Sequence, residues 1–327
     1  MRRRAFLALC GGIAFGAPSN ARAQQSGKVY RIGYLSLGSP AAEASRFDAL
    51  RAGLGAFGYV EGKNLVIETR WLDGGSYDRL GALAAELVAQ QVDVLVTYTT
   101  PGVTAAKHAT QTIPIVFATV GDAVAVGLVA SLARPGGNVT GTSYFTPQLA
   151  AKRLELVKEA VPGLTRAGLL FNPANAAIGP VLPAIRASAQ SLKLELAEFP
   201  VREAAGLDAA LAAMAAQSVG AFVITEDPML IYNSEAIAKL ALRHRIAGCA
   251  FPEFAEAGGF AAYGVDFIAM WRHAATVVDK ILKGANPADL PVEQATNFLT
   301  LVNLKTAKAI GIAVPTALQL RADRVIE

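Results

Sequence analysis

Short apolar runs alternate along the chain with segments whose hydrophobic residues recur every three or four positions. In the first half, the runs that predict buried parallel strands are residues 30–36, 64–71, 92–98 and 113–119. Between two of these runs, Phe47, Leu50 and Leu54 share one helical face, as expected for a helix that packs on a sheet. Repeated strand–helix–strand units predict right-handed crossovers and a doubly wound α/β sheet.

The second half repeats this plan. A strand-like run at residues 139–145 leads into it, and its own runs are residues 166–171, 192–201, 221–225 and 247–251. Thr146 and Pro147 predict the N-cap and the first helical position of the helix that follows the first of these runs. We therefore predict two Rossmann-like lobes, each with a doubly wound parallel sheet, joined near residues 140–147.

The end of the chain is expected to pass back between the lobes. Runs at 260–265 and 296–302 flank a predicted helix over Phe267–Leu282. We assign residues 29–145 and about 260–285 to the N-terminal lobe. Residues 146–259 and about 286–327 are assigned to the C-terminal lobe.

The first 23 residues have the pattern of a cleaved export signal. A basic start precedes an apolar run at residues 5–17, and Ala21-Arg22-Ala23 resembles a cleavage site. Arg3 and Arg4 also fit a twin-arginine signal, so the general secretory and twin-arginine routes both stay open. We expect a periplasmic protein cleaved near Ala23, because the apolar run of the leader is too short to span a bilayer as a helix and the apolar stretches elsewhere are shorter still.

The net charge of +4 comes from this leader. The whole chain has 30 Lys and Arg against 26 Asp and Glu, and four of those arginines lie in the first 23 residues. The remaining chain is formally neutral and has no basic field for a phosphate backbone, so we expect no nucleic-acid partner. It keeps a single cysteine, Cys249, which excludes an internal disulfide.

Motifs for catalysis are missing from the sequence. His108, His244 and His273 lie far apart in helical segments without metal-ligand spacing. Residues 53–58 match the dinucleotide pattern Gly-x-Gly-x-x-Gly, but they fall at the end of a predicted helix, where a turn is expected instead. We expect no cofactor, no metal and no catalytic residue; an exported α/β enzyme is the alternative from another class.

Polar residues follow many of the predicted strands, where open α/β sheets bind ligands. The candidate ligand-binding residues are Tyr34, Ser36, Thr97, Thr99, Thr100, Thr119, Asp122, Tyr144, Asn172, Asn175, Thr225, Asp227, Glu253, Tyr263 and Asp266. The set contains acids but no Lys or Arg, which disfavours phosphate or dicarboxylate ligands and favours an amine. Such residues also cap helices, and Asp122, Asn172 and Asp227 are suited to both roles.

These residue types suit an amino acid or a related amine-bearing compound. We assign the ligand amine to Asp122 or Asp227, the carboxylate to Ser36, Thr97, Thr99 and Thr100, and the side chain to Tyr34, Tyr144 and Tyr263. A sugar or a nucleoside is the alternative ligand, because aromatic rings together with Asp and Asn also suit hydroxyl groups.

Several longer motifs resemble those of one bacterial family, the ABC-transporter substrate-binding proteins that include tryptophan and tyrosine binders. They are IPIVF at 113–117, VGD at 120–122, ARPGGNVTG at 133–141, FNPAN at 171–175, VDKILKG at 278–284, LPVEQ at 290–294, NLKTAKA at 303–309 and RAD at 321–323. The resemblance covers essentially the whole chain after the leader. It implies the periplasmic-binding-protein type I fold, a ligand in the cleft between two lobes, and delivery to an ABC permease; we expect a monomer.

The sequence departs from the family pattern in two places. Ala123 stands where proline usually follows Gly-Asp, and Phe-Ala-Ala-Tyr-Gly at 260–264 replaces Leu-Met-Ser-Tyr-Gly. The second change removes a hydroxyl that we expect at the cleft. The ligand of this chain is therefore not assumed to be that of its relatives.

Overall fold

The computed structural model describes residues 28–327, so the predicted export signal lies outside the described residues. The first part of the chain alternates strands and helices. Its elements are β1 (Tyr30–Ser36), α1 (Pro40–Ala56), β2 (Leu65–Trp71), α2 (Leu80–Ala89), β3 (Val94–Thr97), α3 (Thr99–Ala109), β4 (Ile115–Gly121) and β5 (Val139–Tyr144). Each strand begins and ends within a few residues of the corresponding apolar run.

The second part continues the alternation. It contains α4 (Thr146–Ala160), β6 (Arg166–Phe171), α5 (Ile178–Ser191), β7 (Glu195–Pro200), α6 (Leu207–Ala216), β8 (Ala221–Ile224), α7 (Pro228–Tyr232), α8 (Ser234–His244), β9 (Ala247–Ala250), α9 (Pro252–Glu256), β10 (Ala261–Val265) and α10 (Phe267–Leu282). The chain then forms β11 (Glu293–Gln294), β12 (Phe298–Asn303), α11 (Leu304–Ile310), α12 (Thr316–Arg321) and β13 (Arg324–Ile326). Short 3₁₀ helices lie at Tyr77–Arg79, Ala204–Gly206 and Pro287–Asp289.

The start of α4 differs by one residue from the predicted N-cap. Phe145 is the N-cap, and Thr146 is the first residue of the helix. The reason is that Phe145 keeps an extended backbone, with φ −96° and ψ 91°, after β5 has ended. Pro147 still lies in the first turn, where its missing N–H costs no helical hydrogen bond.

Two mostly parallel sheets form the centres of two lobes. The first has the strand order β11-β5-β4-β3-β1-β2, and the second has the order β13-β12-β10-β9-β8-β6-β7. Every pair in the first sheet is parallel, whereas β10 and β12 run antiparallel in the second. The predicted α/β fold with two doubly wound sheets is thereby confirmed.

The crossings between the lobes differ from the expected boundaries. The sequence predicts that residues about 260–285 belong to the N-terminal lobe, but β10 pairs with β9 and β12 in the second sheet. The following α10 does return to the first lobe, where it packs against α1 and β4. The sequence also predicts that residues about 286–327 belong to the C-terminal lobe, but β11 pairs with β5 in the first sheet. The residues of a strand predict its presence but not the neighbour it pairs with, which explains both differences.

The packing of α1 on α10 depends on Gly53, the first glycine of the motif at 53–58. A Cβ on Gly53 would lie 2.7 Å from Cβ of Ala275 and 2.9 Å from the carbonyl oxygen of Arg272. The motif ends, as predicted, in a helix C-terminus and a turn, with Gly58 at φ 87°. Two of its glycines therefore have structural roles, close helix packing and a left-handed turn.

No helix within residues 28–327 combines the length and the apolar character that crossing a bilayer requires.

Candidate functional site

Strand ends from both sheets line one cavity between the lobes. The cavity measures about 20 Å³, which accommodates roughly one water molecule. Its walls are formed by Thr99, Thr100, Gly121, Tyr144, Thr146, Asn172, Asn175, Ala177, Ile178, Val181, Thr225, Glu226 and Asp227. The first lobe contributes the ends of β3, β4 and β5, and the second contributes the ends of β6 and β8 together with the start of α5.

The cavity gathers seven of the residues predicted from the sequence: Thr99, Thr100, Tyr144, Asn172, Asn175, Thr225 and Asp227. The other eight do not line it: Tyr34, Ser36, Thr97, Thr119, Asp122, Glu253, Tyr263 and Asp266. The division shows that lying at the end of a strand is not sufficient for a side chain to reach the cleft.

Asp227 is the most heavily hydrogen-bonded acid of the site and is only 1% exposed. Oδ1 accepts from Asn172 Nδ2 at 3.2 Å, and Oδ2 accepts from Asn175 Nδ2 at 3.1 Å. Oδ1 also accepts from the backbone N–H of Met229 at 3.0 Å and so caps α7. Tyr77 of the first lobe donates to Oδ2 at 3.1 Å.

Burial raises the pKa of Asp227, and the hydrogen bonds from Asn172, Asn175 and Tyr77 partly offset this rise. Asn172 and Asn175 also accept backbone N–H groups of their own turn, at 2.9 and 3.1 Å. The amides therefore hold both the loop after β6 and the carboxylate after β8. Asn172 and Asp227 each form a turn or a helix cap and also line the cavity, and their contact with a ligand stays a prediction.

Glu226 was absent from the predicted site, although it lies beside Asp227 and lines the cavity. Its side chain is 4% exposed and its Oε1 pairs with Arg153, whose side chain is fully buried. Oε2 of Glu226 is buried and has no hydrogen-bond partner. The signal that could have found it is the pair of consecutive acids directly after β8.

Arg153 compensates the buried negative charge of Glu226. From α4 it donates Nη1 to the carbonyl of Ile224 at 2.8 Å and Nε to the carbonyl of Tyr263 at 2.7 Å. A buried ion pair needs such additional hydrogen bonds to offset the desolvation of both charges. The candidate residues chosen at strand ends include no Lys or Arg, because Arg153 lies within helix α4 and its guanidinium extends from there to Glu226.

The opposite wall is the N-terminal end of α3. The first N–H groups of a helix have no partner within it, and their dipoles favour negative charge nearby. Thr99 begins the helix with φ 57°, and its hydroxyl donates to the carbonyl of Tyr98 at 2.7 Å. Oγ1 of Thr100 is buried without a hydrogen-bond partner. This end of the cavity is therefore suited to an anionic group.

Tyr144 closes the cavity on the side of the first lobe. Its ring meets that of Phe267 edge to face, with the ring centres 6.3 Å apart. Burial and, after it, the charge of Glu226 raise the pKa of the Tyr144 hydroxyl. The hydroxyl is therefore neutral and can both donate and accept hydrogen bonds.

Three of the first-lobe residues outside the cavity, Tyr34, Ser36 and Thr97, hydrogen-bond within their own lobe. Tyr34 is fully buried and donates to Glu43 at 3.0 Å. Oγ1 of Thr97 donates to the carbonyl of Leu35 at 2.9 Å, and Ser36 Oγ accepts from the N–H of Gly38 at 3.2 Å. These contacts stabilise the ends of β1 and β3. The buried Oγ1 of Thr119 has no hydrogen-bond partner.

The remaining predicted acids make their contacts outside the cavity. Asp122 accepts from the N–H of Ala125 at 3.0 Å, and Asp266 caps α10 by accepting from the N–H of Ala269 at 2.9 Å. Glu253 pairs with Arg46 across the two lobes at 2.7 Å. Asp122 is thus a turn residue at the edge of the cleft rather than part of the cavity wall.

Strand β10 passes beside the site without lining it. The ring of Tyr263 stacks on that of Phe298, with the centres 6.0 Å apart and the planes at 14°. Ala262, where the family pattern has serine, is fully buried against Ala255 and Leu301. The hydroxyl that we expected to be lost from the cleft would therefore lie in the core of the second lobe.

Two further observations concern metal ligands and the cysteine in the described part of the chain. No group of three or more His, Cys, Asp and Glu residues there is arranged to hold a metal ion. Burial raises the pKa of the Cys249 thiol to about 12, so it is not a thiolate at neutral pH.

Comparison with known proteins identifies the family. Residues 37–326 match the family model of the ABC transporter substrate binding proteins. A tyrosine-binding protein of Clostridioides difficile is 26% identical over 269 residues, which cover 82% of this chain and 75% of that protein. The chain belongs to the family of ABC transporter substrate-binding proteins, which bind solutes and are not enzymes.

Solved structures agree with this assignment. A conserved domain protein from Vibrio cholerae has a TM-score of 0.85 at 29% identity, over 91% of this chain and 100% of that one. An ABC domain from Streptococcus pneumoniae in complex with L-Trp has a TM-score of 0.84 at 24% identity, again over 91% and 100% of the two chains. The fold is that of the type I periplasmic binding proteins, as the resemblance of the motifs implied.

Proposed function

We propose that this chain is an exported binding protein that captures an amino acid, or a related amine-bearing compound, between its lobes and delivers it to an ABC importer. The observation that carries the proposal is the polarity of the cavity. Two acids of the second lobe, Glu226 and Asp227, face hydroxyls and a helix N-terminus of the first lobe. An α-amino acid at neutral pH carries the two complementary charges.

The acidic end has an excess of one negative charge. Arg153 balances Glu226, which leaves the carboxylate of Asp227 without a basic partner among its hydrogen-bonding neighbours. An ammonium group supplies the missing positive charge and can donate to the buried Oε2 of Glu226. Charge-assisted hydrogen bonds of this kind are about twice as strong as neutral ones.

The opposite end fits a single carboxylate. Oγ1 of Thr100 has no partner, and the first turn of α3 presents N–H groups that the helix itself leaves free. The cavity wall contains no Lys or Arg, and a second carboxylate or a phosphate would call for one. Amino acids with a neutral side chain are therefore favoured over acidic ones.

The wall for the ligand side chain is largely apolar. Ala177, Ile178 and Val181 lie at the start of α5, and Tyr144 lies across from them. Such surfaces favour an aliphatic or aromatic side chain over a sugar, whose hydroxyls need more polar partners. A relative is named as a tyrosine binder and a neighbouring structure holds L-Trp, which supports the same ligand class.

Because the cavity of about 20 Å³ holds roughly one water molecule, capture requires the lobes to separate and the cavity to enlarge around the ligand when they close again. Crossings after β5, after β10 and before β12 connect the lobes, and short segments of this kind act as hinges. A ligand that contacts both lobes favours the closed arrangement by its differential affinity. The leader pattern supports export, and membership of the family supports hand-over to membrane subunits.

The test is a ligand screen with the protein that starts at Gln24, unfolded and refolded first to remove any carried ligand. Isothermal titration with neutral L-amino acids, acidic amino acids, sugars and nucleosides should give heat only with the neutral amino acids. The Asp227→Asn variant should lose that binding, whereas Asp208→Asn, at an exposed helix position, should keep it. Binding of sugars or nucleosides alone would overturn the amino-acid proposal.

A further inference from the structure

A second group of charged and phenolic side chains connects the lobes outside the cavity. Arg46 of α1 is 6% exposed and donates to Glu43, one turn earlier, at 2.9 Å. Its other terminal nitrogen donates to Glu253 of the second lobe at 2.7 Å. Burial by itself lowers the pKa of Arg46, but Glu253 and Glu43 outweigh it and raise the pKa, so the guanidinium stays charged.

Tyr232, at the end of α7 in the second lobe, makes the other half of this connection. Its hydroxyl lies 2.5 Å from that of Tyr98 in the first lobe and donates to Glu43. The backbone also approaches closely, because a Cβ on Gly38 would lie 2.7 Å from Cζ of Tyr232. The guanidinium of Arg46 lies over the Tyr232 ring, 5.8 Å from its centre.

We propose that five of these residues form an interlobe latch, which keeps a fraction of the molecules closed without contacting the ligand. The interlobe latch consists of Glu43, Arg46, Tyr98, Tyr232 and Glu253. None of them lines the ligand cavity. Their contacts join side chains to side chains, so they form whenever the lobes meet and need no ligand to complete them.

When the latch opens, Glu253 loses its charged partner, but its side chain is already 31% exposed to solvent. When the lobes separate, the contacts of Arg46 with Glu253 and of Tyr232 with Tyr98 and Glu43 are lost. The pair of Arg46 with Glu43 lies on one helix and remains, as does the hydrogen bond from Tyr34 to Glu43. Because breaking a buried pair outright is far more costly, this arrangement makes closure reversible.

The consequence for the ligand rests on the proposed function. A closed form that is already populated removes part of the conformational cost of binding. The latch also slows release of the ligand, because its contacts and those of the ligand must all break before the lobes separate. We infer that the latch sets the affinity and residence time of the ligand from outside its binding site.

The experiment measures the distance between the lobes without ligand. Spin labels at Ala85→Cys on α2 and Ala212→Cys on α6, both exposed positions, report that distance by pulsed electron resonance. Wild type should give a closed and an open population. Tyr232→Phe removes two hydrogen bonds and should raise the open-to-closed ratio about tenfold. Glu253→Gln should raise it several-fold.

Two matched variants serve as controls. Tyr59→Phe removes a buried hydroxyl that donates to Asp279 within the first lobe at 3.0 Å. Glu256→Gln breaks the pair with Arg324 within the second lobe, on the same helix as Glu253. Neither should change the distance distribution.

Each result is decisive. A wild type that is fully open without ligand, or latch variants that match wild type, would overturn the latch. A shifted distribution together with no heat from L-tryptophan, L-tyrosine or L-leucine would support the latch and count against the proposed ligand. Amino-acid binding with unchanged distances would do the reverse.

Discussion

The hydroxyl of Tyr77 in the first lobe donates to Oδ2 of Asp227 in the second lobe at 3.1 Å. The carboxylate assigned to the ligand amine is therefore also a point of contact between the lobes. Burial and the neighbouring charge of Asp227 raise the pKa of Tyr77, so the hydroxyl keeps its proton and remains a donor. Closure thus completes the hydrogen bonding of Asp227.

Loss of this contact should weaken ligand binding moderately. In Tyr77→Phe the carboxylate loses one donor, which we expect to cost about 1 kcal/mol, or roughly fivefold in affinity. Titration with L-tryptophan or L-tyrosine measures the change. Tyr59→Phe, which loses a hydroxyl bonded within the first lobe, should bind as wild type does. Equal affinity of wild type and Tyr77→Phe would show that the interlobe contact makes no contribution.

Removal of the Asp227 charge should have a larger effect. Asp227→Asn keeps the shape of the side chain but takes away the partner of the ammonium group. Truncating one member of a buried charge pair costs about 2–5 kcal/mol, so affinity should fall at least thirtyfold. Asp208→Asn removes a carboxylate that is 71% exposed and pairs weakly with Arg243, at 3.4 Å. If both variants bound equally well, Asp227 would not hold the amine.

Ligand affinity should decrease at low pH. The ammonium binds the ionised carboxylate, and burial raises the pKa of Asp227 above its ordinary value. Affinity is therefore fully present above that raised pKa and is lost as the pH falls through it, by up to about tenfold per pH unit. Titrations across the acidic range should show this decline in wild type. The Asp227→Asn variant should lack this component, and an identical pH profile would contradict the assignment.

The glycine pair in α1 offers a test of the fold. Gly53→Ala places a methyl 2.7 Å from Cβ of Ala275, and overpacking of this kind costs about 1–3 kcal/mol in stability. Gly55→Ala meets nothing within 4 Å and should stabilise the helix by about 0.5–1 kcal/mol. Urea unfolding should therefore shift in opposite directions for the two variants. Equal shifts would mean that the α1–α10 packing tolerates a side chain at Gly53.

Much of the architecture follows from the order of apolar and polar residues. Periodicity distinguished strands from helices, and Tyr30–Ser36 and Arg166–Phe171 begin and end where the apolar runs do. The neighbouring residues also predicted that residues 53–58 form a helix C-terminus and a turn and not a dinucleotide-binding loop, because no strand precedes them. Such features depend on neighbours along the chain, which the sequence displays directly.

The site was only partly predictable for a physical reason. Polar residues after strands are visible in the sequence, and Asp227, Asn172 and Thr100 were found in this way. Whether such a residue faces the cleft depends on the tertiary packing around it. Tyr34 instead hydrogen-bonds to Glu43, and Asp266 caps α10.

What the sequence alone determined is the alternation of elements, the two-lobed α/β class and the strand ends from which a site can be built. Only the tertiary structure decided which sheets β10 and β11 join. It also decided that Arg153 of α4 forms an ion pair with Glu226 and that Tyr77 donates a hydrogen bond to Asp227 across the lobes. These are contacts between residues far apart in the chain. They arise from packing and from the pairing of buried charges, neither of which has a period or a local motif.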